Sequence, residues 1–298
     1  MGDRATSLTR RAILQIMGAA AIPSLARAEA FSIPDTPPIL LEDYAVARAA
    51  FRTHLTRIGP SPDPAEPLDA PSGATRLAYA SDGRDLTAWL SLPADRPAPA
   101  VVYLHGGNVL GAGHWDLAQA FRQAGYAVIM PALRGENGQG GAFSGFYDEN
   151  ADVLAAAACL AEQPGVDRGR LFVAGHSIGG TQTLLAAMST GLFRGAASFS
   201  GPTNAWRFFA RFPEMIAFDT GSPREFQMRS PLCFATSFKC PVRIFYGSEE
   251  KRMAGPSQLT AVRAREAGLN VEAAAVAGDH FSSLPEETER ALAFFASL

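Results

Sequence analysis

The sequence predicts an α/β fold in which a mostly parallel sheet of about eight strands carries helices on both faces. Three observations predict it. From residue 74 onward, short β-prone runs alternate with helical segments. Those runs lack the polar alternation of strands that have one face in water. The chain has 298 residues, 47% hydrophobic and 18% charged, which is ordinary for a soluble protein with one sizeable core or two small ones.

The N-terminal segment 1–28 is predicted to be a bacterial export signal and not part of the fold. Arg10 and Arg11 precede the mildly apolar stretch 12–21, and residues 26–28 offer a small-x-small cleavage site. These features resemble a twin-arginine signal peptide, which predicts a periplasmic or secreted protein. The alternative is an ordinary basic, apolar helix. The apolar stretch is too short to cross a bilayer, so we expect no stable membrane span.

Residues 29–73 are predicted to form an N-terminal helical arm and a proline-rich linker. Apolar side chains recur near helical spacing across 41–58, which favours one amphipathic helix there. The segment that begins at Gly59 is rich in proline and follows as a connector. One helix has too little apolar surface to build a core, so we expect the arm to lie on the main body.

Residues 74–298 are predicted to form the main domain. Its strands, of which the first two form an antiparallel hairpin, are predicted at 75–80, 86–92, 100–104, 126–130, 171–174, 196–199, 242–246 and 271–276. Its helices are predicted at 115–123, 148–163, 178–188, 257–267 and 283–295. The last helix is expected to open with a capping box between Ser283 and Glu286.

The segment 202–239 interrupts this alternation as a small, lid-like insertion. It is rich in aromatic side chains and carries several prolines. Two interpretations stay open. The segment is either a helical lid or pocket wall whose rings contact a substrate, or an insertion whose rings pack into a core.

Charge and cysteine content narrow the possible partners and covalent links. The formal net charge is −3 and no long basic run occurs, so we expect no nucleic-acid partner. Three cysteines cannot form a complete disulfide framework. Cys159 lies in an alanine-rich helical run and is interpreted as a small core residue. Cys233 and Cys240 could pair after export.

A G-x-S-x-G pentapeptide at 175–179 places Ser177 between a predicted strand and a predicted helix. In that context the pattern indicates a nucleophilic serine on a tight turn, for which a plain turn is the alternative. A serine hydroxyl needs a base, a group that orients the base, and donors for the developing oxyanion. The N–H of Ile178, at the helix N-terminus, is the first predicted donor.

The second oxyanion donor is predicted in the turn after the first central parallel strand, which contains His105 and ends Gly106-Gly107-Asn108. Glycines there let the backbone approach a substrate. Either Gly107 or Asn108 supplies the N–H group, and the sequence leaves that choice open. His105 is interpreted as a structural residue that holds the turn.

His280 is the predicted general base, because it follows the strand predicted at 271–276 and precedes the last helix. The other histidines, whose positions fit this role less well, are His54, His105, His114 and His176. Glu250 is favoured over Glu249 as the acid that orients His280. Asp279 is interpreted as a turn residue.

The chain order Ser177, Glu250, His280 is that of α/β-hydrolases. Residues 74–298 resemble that superfamily, and in detail the catalytic domain of the prolyl oligopeptidase and dienelactone hydrolase group. The stretches that carry the resemblance are 133–138 (LRGENG), 152–156 (DVLAA), 163–170 (QPGVDRGR), 174–180 (AGHSIGG) and 229–231 (RSP). The resemblance implies an α/β-hydrolase fold of eight strands. It places Ser177 and His280 at motif positions, and Glu250 where the family usually carries aspartate.

These features predict a secreted serine hydrolase that cleaves a carboxylic ester through an acyl-enzyme intermediate, with no metal or cofactor. The aromatic insertion favours an ester with an apolar or aromatic part. Dienelactone hydrolases use cysteine as nucleophile, so Ser177 argues against that activity. Two alternatives stay open: a serine peptidase of prolyl oligopeptidase type, and a non-catalytic binding protein that keeps the fold as a scaffold. The expected partner is therefore a small-molecule ester or a short peptide.

Overall fold

The computed structural model describes residues 31–298, so the export signal predicted at 1–28 lies outside the described residues. The strands are β1 Thr75–Ser81, β2 Arg84–Ser91, β3 Ala98–Leu104, β4 Ala127–Pro131, β5 Val166–His176, β6 Gly195–Phe199, β7 Val242–Gly247 and β8 Val271–Val276. They form one sheet in the order β1-β2-β4-β3-β5-β6-β7-β8. β2 pairs antiparallel with both β1 and β4, and the remaining pairs in this sheet are parallel. The predicted fold class is confirmed.

The α-helices of this described part surround the sheet. They are α1 Tyr44–Ala50, α2 Ala112–Leu117, α3 Gln119–Gln123, α4 Glu149–Ala161, α5 Ile178–Ser189, α6 Ala205–Arg211, α7 Pro223–Met228, α8 Lys251–Glu266 and α9 Leu284–Ala296. Short 3₁₀ turns cover Pro213–Met215 and Pro231–Ser237.

Both faces of the sheet are covered, as the side chains of β3 illustrate. Ala100 and Val102 belong to one buried cluster, together with side chains from α4, α5, α8 and the insertion. Val101 and Tyr103 belong to a second buried cluster with side chains from α2, α3 and α9. A strand with two buried faces needs a continuous apolar run, which is the pattern that predicted it.

Some boundaries differ from the prediction. β5 begins at Val166 and not at 171, because the intervening residues Asp167, Arg168, Gly169 and Arg170 interrupt the apolar run that predicted the strand. α8 begins at Lys251 and accommodates Pro256 inside the helix, whereas the prediction began after the proline. The helix predicted at 115–123 is divided into α2 and α3, which meet at Ala118.

The predicted capping box at the start of α9 is wrong. Ser283 is the N-cap residue, but its side chain makes no cap hydrogen bond. Its hydroxyl instead lies 2.8 Å from the Asp279 carbonyl oxygen and 3.0 Å from Glu287 Oε1. Since Glu287 is buried and Glu286 is exposed, the hydroxyl pairs with the buried neighbour.

The arm contains a shorter helix than predicted. Asp43 caps α1 by accepting hydrogen bonds from the N–H groups of the second and third helical residues. The helix ends at Ala50, because the following residues pair with the insertion. The His54 N–H donates to Glu225 at 2.6 Å, and Leu55 forms a β-bridge with Phe218. These tertiary contacts outweigh the helical periodicity of 41–58.

The aromatic rings of the insertion pack mainly against one another. The buried rings are Trp206, Phe208, Phe209, Phe218, Phe226, Phe234 and Phe238. Trp206 stacks on Phe226 with ring centroids 5.4 Å apart, and Phe209 meets Phe218 edge-on at 4.9 Å. This burial is what the packing interpretation predicts.

A buried ion pair joins two of the stretches that carry the family resemblance. Arg134, from the LRGENG stretch, donates to both carboxylate oxygens of Asp152 at 2.7 and 2.8 Å. Asp152 is fully buried on α4, so the pair fixes the loop after β4 against that helix.

Cys159, Cys233 and Cys240 are free thiols, so the Cys233–Cys240 disulfide that the sequence allows is not formed here. Within residues 31–298, no helix combines the length and the apolar character that crossing a membrane requires.

Candidate active site

Ser177, Glu250 and His280 follow the carboxyl ends of β5, β7 and β8. Because β5, β6, β7 and β8 run parallel side by side, their carboxyl ends lie along one edge of the sheet. That edge is where an open α/β sheet binds ligands.

Ser177 lies on a strained turn between β5 and α5. Its backbone has φ 57° and ψ −121°, a conformation that residues other than glycine rarely adopt. A Cβ atom on Gly175 would lie 2.5 Å from the Gly179 oxygen, and one on Gly179 would lie 2.2 Å from the Leu104 oxygen. Both flanking glycines are therefore required by close backbone contacts, and the turn has the geometry of a nucleophile elbow.

His280 contacts Glu250. The Nδ1 of His280 lies 2.7 Å from Glu250 Oε1. The other oxygen of Glu250 accepts the Gly247 N–H at 2.9 Å and the Ser200 hydroxyl. Since Nδ1–H donates to the carboxylate, a neutral His280 has its Nε2 unprotonated and able to act as a base.

Glu250 is held in its charged form. Burial raises the pKa of Glu250, but the hydrogen bonds from His280 and Ser200 outweigh it, so the pKa lies below its ordinary value. Glu249 is exposed, and its side chain makes no hydrogen bond within residues 31–298. Of the two carboxylates that the sequence offers, Glu250 is the one that the fold brings to His280.

The loops that carry Ser177 and His280 meet through His176, but within residues 31–298 the Ser177 and His280 side chains are not hydrogen-bonded to each other. The ring of His176, the residue before Ser177, lies 4.6 Å from the ring of His280. The Ser177 side chain rotates about a single χ1 bond, and catalytic hydrogen bonds are often long or absent until a substrate is bound. The two loops thus converge at the carboxyl edge of the sheet.

His176 fixes the loop that carries His280. Its Nε2–H donates to the His280 carbonyl oxygen at 2.8 Å. Burial, followed by the nearby His280, lowers the pKa of His176 to about 3, so the ring is neutral and its proton is on Nε2. The sequence around His176 carries no signal of this contact, which spans about 104 positions.

The turn after β3 packs against the candidate nucleophile. A Cβ atom on Gly106 would lie 3.3 Å from Ser177 Cβ. Gly107 has φ 72°, and within residues 31–298 its N–H donates to no group. The N–H of Ile178, the first residue of α5, has no intrahelical acceptor. The Asn108 N–H, in contrast, donates to Asp63 Oδ2 at 2.9 Å.

His105 holds the turn, in agreement with its structural interpretation. Its Nε2 lies 3.1 Å from Glu136 Oε2 and its Nδ1 lies 3.0 Å from the Gly106 oxygen. Burial lowers the pKa of His105, but the Glu136 carboxylate outweighs it and the pKa is raised. Both ring nitrogens therefore donate.

The two remaining histidines, His54 and His114, make no hydrogen bond to Ser177, Glu250 or His280 within residues 31–298. His114 is buried and accepts the Gly111 N–H at 3.0 Å, and burial lowers its pKa to about 3. His54 is exposed in the arm, 3.7 Å from Asp219. In the described range 31–298, no group of three or more His, Cys, Asp or Glu side chains is arranged to hold a metal ion.

Comparisons with known proteins agree with this fold. The model of the "Prolyl oligopeptidase family" matches residues 115–296. "Uncharacterized peptidase YuxL" of Bacillus subtilis (strain 168) is 28% identical over 199 residues, which cover 59% of this chain and 30% of that protein. The chain therefore matches less than a third of the length of this curated relative.

Two solved structures share the architecture. A puromycin-hydrolyzing peptidase of Mycobacterium tuberculosis superposes with a TM-score of 0.67 and 24% identity, over 78% of this chain and 41% of that one. A putative dienelactone hydrolase of Klebsiella pneumoniae superposes with a TM-score of 0.59 and 20% identity, over 76% of this chain and 98% of that one. At such identities the likeness shows the shared fold.

Proposed function

The chain belongs to the prolyl oligopeptidase family, and from that premise we propose that it is a serine peptidase that cleaves short peptides through an acyl-enzyme intermediate. Family membership makes it a serine hydrolase; the substrate and the residue roles are our proposal. The observation that carries it is the strained turn that presents Ser177 at φ 57°. A plain strand-to-helix turn has no need of that conformation, which costs about 1–3 kcal/mol.

The proposed reaction uses the three loops in sequence. Ser177 Oγ attacks the substrate carbonyl carbon while its proton passes to His280 Nε2, and Glu250 stabilises the imidazolium. His280 then gives the proton to the leaving amine as the C–N bond breaks. Water, deprotonated by His280, then attacks the acyl carbon, and His280 returns that proton to Ser177 Oγ as the ester C–O bond breaks, which releases the carboxylic acid.

The oxyanion donors are the N–H groups of Ile178 and Gly107 in this proposal. The sequence left Gly107 and Asn108 as alternatives for the second donor. Gly107 is favoured because the Asn108 N–H already donates to Asp63. The N-terminus of α5 adds positive potential at the same place.

The preference for a peptide over an ester substrate has two supports. The expected ester with an apolar or aromatic part depended on the aromatic rings of 202–239, and all of those rings except Phe212 are buried. The curated relative described above is named a peptidase.

A matched pair of substrates tests the proposal: N-acetylalanine p-nitroanilide and N-acetylalanine p-nitrophenyl ester, which share one acyl group. A peptidase hydrolyses both, and kcat/KM for the anilide rises when the acyl group is extended to a dipeptide. If the wild type hydrolyses the ester but hydrolyses the anilide no faster than the Ser177→Ala variant does, the protein is an esterase.

Export to the periplasm is part of the same proposal. The support is the order of features in 1–28, where Arg10 and Arg11 precede an apolar stretch and a small-x-small site. Replacing both arginines by lysine should retain the full-length protein in the cytoplasm of a bacterial host, as judged by cell fractionation, whereas Arg4→Lys should not. Equal export of the twin-lysine variant would refute the assignment.

A further inference from the structure

Asn108, the residue that follows the proposed oxyanion donor, is held by two residues of the proline-rich linker. Its backbone N–H and its side-chain Nδ2–H both donate to Asp63 Oδ2, at 2.9 and 3.1 Å. Its backbone carbonyl accepts the Ser61 hydroxyl at 2.6 Å. Asn108 is 1% exposed, so these three bonds fix a buried residue from a segment about 45 positions earlier in the chain.

The linker is itself anchored on both sides of Asp63. The Ser61 N–H donates to the Gly135 oxygen at 2.9 Å, and the Gly59 oxygen accepts the Phe143 N–H at the same distance. Beyond Asp63, the Glu66 carbonyl accepts Asn137 Nδ2–H at 2.8 Å. The segment 59–66 is therefore docked on the loop after β4 and is no flexible connector.

The turn needs such support because it is made of glycines. Gly106 and Gly107 lack side chains, and Gly107 has φ 72°, so neither residue restricts its own backbone strongly. An oxyanion hole works only if its donors are oriented before the charge develops. Fixing Asn108 on its N–H, its carbonyl and its side chain removes the freedom that the two glycines would otherwise leave.

We propose that Asp63 is a positioning residue for the oxyanion hole: it fixes Asn108 and thereby the direction of the Gly107 N–H. This inference depends on the proposed function, in which Gly107 is a donor. The role of Asp63 is geometric, because a negative charge beside an oxyanion opposes its formation. A Cβ atom on Gly107 would lie 3.7 Å from Asp63 Oδ2, so that charge is close.

The charge and the hydrogen bonds of Asp63 have opposite effects, which makes the role testable. In Asp63→Ala both are lost. In Asp63→Asn the side-chain oxygen still accepts from Asn108 while the charge is gone. The control is Asp69→Ala, which removes an exposed carboxylate from the same linker, outside the docked segment 59–66. The measurements are kcat and KM for p-nitrophenyl acetate, and the inhibition constant of phenylboronic acid, which forms a tetrahedral adduct on an active serine.

Asp63→Ala should lower kcat by about 10–100-fold and weaken the binding of phenylboronic acid by a similar factor. Its KM should stay within about threefold of the wild-type value. Asp63→Asn should recover most of the lost kcat, and Asp69→Ala should match the wild type. A merely structural role would lower the amount of active enzyme, titrated with a fluorophosphonate, and leave kcat per titrated site unchanged. That result, or an Asp63→Ala enzyme that matches Asp69→Ala, would overturn the assignment.

Should Asp63→Ala fail to fold, Ser61→Ala removes one bond to Asn108 and should lower kcat and boronate affinity together by about 3–10-fold. Unchanged values in that variant would equally overturn the assignment. If the wild-type protein neither hydrolyses the ester nor reacts with the fluorophosphonate, the proposed function is refuted, and the role of Asp63 is refuted with it. An active wild type with an unaffected Asp63→Ala variant refutes the role of Asp63 alone.

Discussion

Glu250→Gln is the substitution that probes the relay most sharply, since it changes one oxygen to an amide nitrogen with almost no change of shape. Glu250 accepts three hydrogen bonds, from His280 Nδ1, Ser200 and the Gly247 N–H. The Ser200 hydroxyl can turn and accept from an amide, but the Gly247 N–H can only donate. The glutamine oxygen should therefore face Gly247, and its NH₂ group should face His280.

An NH₂ group facing Nδ1 forces His280 into the wrong tautomer. Nδ1 must then accept, the ring proton moves to Nε2, and Nε2 can no longer take the proton of Ser177. The corresponding change in a serine protease triad costs about 10⁴ in kcat, so we expect a loss of about 10³–10⁴-fold here. The free energy of unfolding should change little in comparison with this loss of activity, because the loop keeps the hydrogen bond from His176 to the His280 carbonyl.

The assay is kcat for p-nitrophenyl acetate, corrected for active sites by fluorophosphonate titration. Glu249→Gln is the matched control, because Glu249 is exposed on the same turn. It should retain kcat within about twofold, as expected for a surface substitution away from the reacting atoms. Equal losses in the two variants, or full activity in Glu250→Gln, would refute the role of Glu250.

Three further predictions concern the strained turn, its glycines and a buried acid. Ser177→Gly should abolish turnover and raise the free energy of unfolding by about 1 kcal/mol in urea titrations, because glycine relieves the strain at φ 57°; a less stable variant would mean that the turn is not strained. Gly179→Ala should lower the free energy of unfolding by about 3 kcal/mol or more, since its Cβ would lie 2.2 Å from the Leu104 oxygen. The control Gly191→Ala, whose Cβ would have nothing within 4 Å, should leave stability unchanged. Similar melting temperatures for the two variants would contradict this prediction. Burial raises the pKa of Glu149 to about 7 from 4.5, so the folded state binds this proton more tightly than the unfolded state does. The free energy of unfolding should therefore fall by about 3 kcal/mol as the pH rises from about 5 to 8, relative to the Glu149→Gln variant. Parallel curves of stability against pH for the two proteins would refute this prediction.

The parts of the fold that the sequence predicts well are those that local pattern determines. Continuous apolar runs locate β3 and β4, because strands buried on both faces have no polar alternation. The G-x-S-x-G pentapeptide locates the turn at Ser177, although only the contact that requires Gly175, with the Gly179 oxygen, is local, and Gly179 is required by the distant Leu104 oxygen.

The parts that the sequence does not predict depend on contacts between distant segments. The helix expected across 41–58 ends at Ala50 because Glu225, about 171 positions away, accepts the His54 N–H. Ser200 and His176 support Glu250 and His280 through bonds that span about 50 and 104 positions. No local pattern marks such partners, although Ser200 has a weak signal in its place directly after β6.

The central claim is that Ser177 is made nucleophilic by His280. The most direct measurement is the rate and site of covalent labelling by a fluorophosphonate, followed by mass spectrometry of the digested protein. We predict a single adduct on Ser177 in the wild type and a rate at least about 10³-fold slower in His280→Ala. An adduct on another residue, or an unchanged rate in the His280→Ala variant, would contradict the account.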